Sequence, residues 1–188
     1  MSKSEYKKIK LSDLVLLAQK GDVKALEEII RRKQGSIYSI FAHLVSKKED
    51  ISDLTQEVLL KMAKSLSQLK DVNNFKAWLN QITTNVFNDY IRKNQRNQVE
   101  IDEKQLAEIR DKVGCEPNQR CIFSELEKLV RSALLSLPQN LRITLVLREY
   151  EGLSYEEISK ITDTTLGTVK SRLSRARVKL QQVLKDFI

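Results

Sequence analysis

Apolar residues recur at every third or fourth position along most of this chain, and almost nothing interrupts them. Leu14, Leu17 and Ala18 lead to Ala25, Leu26, Ile29 and Ile30, and the spacing returns in Ile37, Ile40, Phe41 and Leu44. It returns again in Leu54, Val58, Leu59, Met62 and Leu66, and in Phe75, Trp78, Leu79, Ile82, Val86 and Phe87. That period stacks apolar side chains on one face of an α-helix, and no alternating run of useful length argues for a strand. Only two prolines and five glycines occur in 188 residues, which suits long helices. The expected fold class is all-α. Helices are predicted over 11–32 with a turn at Gly21 and Asp22, over 36–45 after a break, over 53–69 once "KKED" has passed, and over 75–93.

The pattern lapses around "NQRNQVEIDEKQLAEIRDKVGCEPNQRC", a polar stretch holding Gly114 and Pro117. Helical spacing resumes near Phe123 with Leu126, Leu129, Val130, Ala133 and Leu134, and Leu137–Pro138 ends that helix. Two small helical domains on a flexible linker are therefore expected: residues 1–97, a linker at 98–123, and residues 124–188.

A formal net charge of +8 and a pI near 9.4 point to an anionic partner, nucleic acid before membrane surface. "MSKSEYKKIKLSD" lacks the apolar core of a signal peptide, and no apolar run is long enough to span a membrane, so the cytoplasm is the expected compartment. Cys115 and Cys121 with a distant His43 do not make a metal site, and no metal or cofactor is expected. A redox role for the two cysteines is left open. A chain with no Gly-rich phosphate loop, and one histidine without a nearby nucleophile motif, is a poor enzyme.

Residues 154–180 hold two helices with a very short break. Ser154 and Glu157 form an S-x-x-E capping box, "TDTT" (162–165) is the turn, and Thr164 or Thr165 caps the second helix. On a wheel at about 100° per residue, Leu166, Val169, Leu173, Ala176 and Leu180 form one packed stripe. Gly167, Ser171 and Ser174 lie opposite, bordered by Lys170, Arg172, Arg175, Arg177 and Lys179. Small residues at the centre allow close approach, and cations on both flanks suit phosphates, so the helix fits a major groove. The competing reading is a basic solvated helix with no ligand.

The segment "LPQNLRITLVLREYEGLSYEEISKITDTTLGTVKSRLSRARVKL" (137–180) resembles region 4 of the extracytoplasmic-function (group 4) sigma factors of bacterial RNA polymerase, within the sigma-70 family. "LVLLAQKGDVKALEEII", "EDISDLTQEVLLKMAKSL" and "FKAWLNQITTNVFNDYIRKNQR" resemble region 2, in family order. The resemblance implies a protein that binds core RNA polymerase and promoter DNA, is held by an anti-sigma factor, and is not an enzyme. It implies −35 contacts at Tyr155, Thr168, Lys170, Ser171, Ser174 and Arg175, with Arg172 turned toward the domain's own acids. It implies −10 contacts at Asn73, Asn74, Phe75, Asn80, Asn85, Arg92 and Lys93, joined by Arg96. Polymerase docking falls on Asp53, Gln56 and Glu57, and Trp78 belongs to the core.

The sequence departs from the family at two places. Leu60 follows "QEVL" where an aromatic residue is frequent, and Thr164–Thr165 replace an apolar residue and a serine or proline. A helix-turn-helix activator with a separate effector domain shares the C-terminal half but not "DLTQEV" followed by "FKAWLNQITTN".

Overall fold

The computed structural model describes residues 3–95 and 119–185, with side chains described from residue 5 to 94 and from 127 to 185. Residues 98–118 of the expected linker, Cys115 and Arg96 lie outside these residues, as does the Cys121 side chain. Among the described residues every regular element is helical. The chain separates into two compact units, one built mainly on Met1–Asn88 and the other mainly on Asp89–Ser159 and Thr164–Ile188.

The N-terminal elements are α1 (Lys3–Tyr6), α2 (Leu11–Gln19), α3 (Val23–Leu44), α4 (Lys48–Ser65), 3-10 turns at Leu66–Gln68 and Val72–Asn74, and α5 (Phe75–Gln95). Helix α3 packs on both α2 and α4. Asp22 caps α3 by accepting from the Ala25 N–H at 3.1 Å, and its other oxygen accepts from the Tyr6 hydroxyl at 2.7 Å. Arg32 extends that tether, donating to the Ile9, Tyr6 and Lys7 carbonyls. Leu14, Ile29, Ile37, Phe41, Leu44, Ile51 and Met62 are essentially sealed from solvent. Each such side chain contributes roughly 1.5–3 kcal/mol.

Helix boundaries differ from the expectation, and two of the differences are instructive. The break predicted between 32 and 36 does not exist, because α3 runs straight through Gly35. A mid-helix glycine costs about 0.5–1 kcal/mol. The burial of Ile29, Ile37, Ile40 and Phe41 on one continuous face outweighs it, while Gln34, Gly35 and Ser36 look outward. Helix α4 begins at Lys48 rather than 53, because Glu49 and Asp50 in its first turn complement the helix dipole instead of breaking the helix.

The C-terminal elements are α6 (Gln119–Leu135), α7 (Gln139–Glu149), α8 (Tyr155–Ile161) and α9 (Leu166–Leu184). Helix α6 starts four residues ahead of the predicted Phe123. Helix α7 is the centre, buried at Leu141 and continuously from Ile143 to Leu147, and α9 packs across it and α6. Arg142 ties α6 to α7. Its Nη2 donates to the Leu135 carbonyl at 2.8 Å and to that of Leu137 at 2.9 Å, occupying acceptors at the end of α6. Burial pushes its guanidinium down to about 10.

Candidate nucleic-acid and polymerase interfaces

The turn between α8 and α9 is built from local hydrogen bonds. The capping box forms as read: the Glu157 carboxylate accepts from the Ser154 N–H at 2.7 Å, and Ser154 Oγ accepts from the Glu157 N–H at 3.1 Å. At its other end α8 closes with Asp163 in the left-handed region at φ +49°. There the Thr164 N–H reaches the Ser159 carbonyl at 3.0 Å, and the Ser159 hydroxyl donates to the Thr164 carbonyl. Of the two candidate caps Thr165 is the one used, accepting from the Thr168 N–H at 3.2 Å.

These bonds fix where α9 points its two faces. Val169, Leu173 and Ala176 are buried, but the ends of the predicted stripe are not: Leu166 is exposed and Leu180 half-buried, because the stripe outruns the surface it packs on. The opposite face is open at Gly167, Lys170, Ser171, Ser174 and Arg175. Ser171 Oγ donates to the Thr168 carbonyl at 3.0 Å, and Arg175 Nε to the Ser171 carbonyl at 3.3 Å, so the guanidinium stays close to its own helix. Thr168 is half-buried against Thr165, their hydroxyls 2.9 Å apart.

Two basic residues have roles that were not anticipated. Arg177, not Arg172, reaches the unit's own acid, donating to Glu149 Oε1 at 2.8 Å. Arg148 lies over the Tyr155 ring, 5.1 Å from its centroid, while its Nη1 donates to the Leu153 carbonyl at 2.7 Å. It thereby holds the half-buried Tyr155 at the start of α8. Neither pairing leaves a periodic signal, because the partners belong to different helices.

In the first unit the segment expected to meet the −10 element is a capped turn followed by α5. Asp71 accepts from the Asn73 N–H and the Asn74 amide, both at 2.9 Å. Asn73, Asn74 and Asn85 are exposed. Phe75 and Asn80 are buried, with 2% and 3% of their surfaces accessible. Phe75 packs beneath the turn, 5.8 Å from the half-buried Trp78 ring and with the Lys33 ammonium 6.0 Å from its centroid. Asn80 Nδ2 donates to the Lys76 carbonyl at 3.1 Å. Arg92 is exposed but paired with Asp89, and Lys93 is exposed. Gln19 braces the preceding segment, donating to the Leu66 carbonyl at 2.9 Å and to that of Leu69 at 2.8 Å. It was missed because its partners lie about fifty residues on.

On α4, Asp53 and Gln56 are exposed and Glu57 is half-exposed, its carboxylate 2.8 Å from Lys61. Leu60, the departure noted in the sequence, is 60% exposed and lies three, four and seven residues from Glu57, Gln56 and Asp53. The four share one helix face: two acids and an amide around an uncovered leucine. Among the described residues no acid, cysteine or histidine cluster is placed to hold a metal, and no helix is long and apolar enough to cross a membrane.

The two units correspond to known protein families. Residues 29–97 match sigma-70 region 2, and residues 127–180 match sigma-70 region 4. The chain belongs to the sigma-70 family, in its extracytoplasmic-function branch. It is 33% identical to the ECF RNA polymerase sigma-E factor of Haemophilus influenzae over 183 residues, covering 93% of this chain and 95% of that protein. It is 33% identical to the sigma-E factor of Escherichia coli K12 over 186 residues, covering 95% and 97%. Among solved structures it is similar to the Bartonella quintana sigma factor RpoE, crystallised with the anti-sigma factor NepR. That match has a TM-score of 0.67 and 29% identity, over 86% of this chain and 98% of that one. CnrH, solved with the cytosolic domain of CnrY, shares the fold at a TM-score of 0.66 and 20% identity, over 93% and 97%. As a sigma factor this chain is a non-enzymatic component of promoter-directed transcription initiation.

Proposed function

We propose that the chain brings core RNA polymerase to a specific promoter set by dividing the work between its halves. Residues 124–188 read the duplex −35 element, and residues 1–97 dock on polymerase and capture the opened −10 strand. The observation that carries this reading is the open strip of Gly167, Ser171 and Ser174 on α9, flanked by Lys170 and Arg175 and set behind a turn capped by Thr165. A helix with a small-residue centre can approach base edges, while its cations and Tyr155 and Thr168 meet phosphates.

Along the turn at Val72–Asn74 and α5, Asn73, Asn74 and Asn85 offer amides to an unstacked base, with Phe75 and Asn80 supporting them from below and Arg92 and Lys93 near the strand's phosphates. Extracting a base costs a few kcal/mol, which the pocket returns through stacking and hydrogen bonds. Asp53, Gln56 and Glu57 form the polymerase-docking face, and Leu60 adds apolar area at its edge. The likeness to a sigma factor crystallised with an anti-sigma factor supports an anti-sigma partner here. A protein that works on promoter DNA works in the cytoplasm.

Run-off transcription from a genomic promoter library with purified core polymerase tests the proposal. Specific transcripts are expected only when the chain is added. Core polymerase giving the same products alone would refute it.

A further inference from the structure

Arg177 is a cation of α9 whose charge is already engaged. Its guanidinium donates to Glu149, the last residue of α7, across 28 positions of sequence. The two side chains keep 54% and 48% of their surface exposed. The neighbouring Arg148 covers one face of Tyr155. The basicity of Arg177 is raised, chiefly by the Glu149 hydrogen bond and to a smaller extent by the Tyr155 hydroxyl. Two guanidiniums, one phenol and one carboxylate thus gather beside the helix-turn-helix.

The carboxylate is the odd member of that group. Three of the four groups can donate to a phosphate, whereas Glu149 repels one. Its oxygen sits where a phosphate oxygen would accept from Arg177. An exposed pair of this kind is weak, so a polyanion can displace it.

We propose that Glu149 is an intramolecular stand-in for a DNA phosphate, holding Arg177 in the free protein and surrendering it to the backbone when duplex DNA docks. This rests on the −35 reading and extends it: Glu149 sets how strongly the module grips DNA. A duplex that brings a phosphate to Arg177 must first break the pair, and its binding is weakened by what the pair contributes.

The test uses the full-length chain, a short mixed-sequence duplex and fluorescence anisotropy across a salt series, because backbone contacts need no particular sequence. Glu149→Gln should tighten binding about two- to five-fold. Arg177→Gln should make the log–log salt slope shallower by about 0.9. In the Arg177→Gln background, Glu149→Gln should then do nothing. A gain that persists there means Glu149 acts only as a distant charge, and no gain in the parent chain means no exchange occurs. Either result overturns the proposal. Lys170→Ala separates the two levels. If it leaves affinity and slope unchanged, the −35 reading fails as well; if it weakens binding while Glu149→Gln does not tighten it, only the exchange fails.

Discussion

Thr84 carries a buried hydroxyl with no hydrogen-bond partner among the described residues. Replacing it with the isosteric valine, as Thr84→Val, removes that unanswered group and should stabilise the first unit by about 1 kcal/mol in denaturant melts. A loss of stability would show that the hydroxyl has a partner after all. Glu28 is the opposite case, since it accepts from both Arg31 and Arg32, which hold its carboxyl down at about 2 from the ordinary 4.5. A lowered folded value means the stabilisation is whole above 4.5 and drains away as pH falls toward 2. Urea midpoints should therefore drop across that window in the parent chain and drop less in Glu28→Gln; equal drops would contradict the assignment. Single-residue roles were legible in the sequence only where partners are close along the chain. Ser154 and Glu157 announced each other at three residues' distance, whereas Gln19, Arg148 and Arg177 find partners that no spacing rule connects.

At the level of elements, the α8–α9 turn decides how α9 presents its open face. Its Asp163 occupies a left-handed conformation that β-branched residues resist. Asp163→Val should cost about 1–2 kcal/mol, whereas Asp163→Gly should be tolerated, by thermal melts of the full chain. Equal effects of the two changes would mean that backbone conformation is not what the position demands. Most helices were readable because their apolar period runs for three turns or more. Their ends were not. The expected break before residue 36 is absent because a buried stripe that stays in phase from Ile29 to Leu44 overrides the one unfavourable residue, Gly35. The same weighting explains α4, where charges read as a loop form a favourable first turn.

Across the whole molecule, one face of α9 and one face of α4 carry opposite chemistries. The first is small and cationic, the second acidic with an exposed leucine. The resemblance to the family was visible in the sequence in both halves. Which side chains stand on the surface was not, and Phe75 and Asn80 show why: motif position says nothing about depth. If DNA reading and polymerase docking are separate tasks, changes on one face should spare the other. Asp53→Ala is expected to weaken binding to core polymerase while leaving affinity of the free chain for duplex DNA unchanged. The most direct measurement pairs two affinities of the Arg175→Ala protein, one for core polymerase and one, as holoenzyme, for a promoter duplex found by run-off transcription. Core affinity should match the parent chain and promoter affinity should fall about ten-fold, the loss of one good arginine contact. An unchanged promoter affinity, or a parallel loss of core binding, would contradict the division of work between the two units.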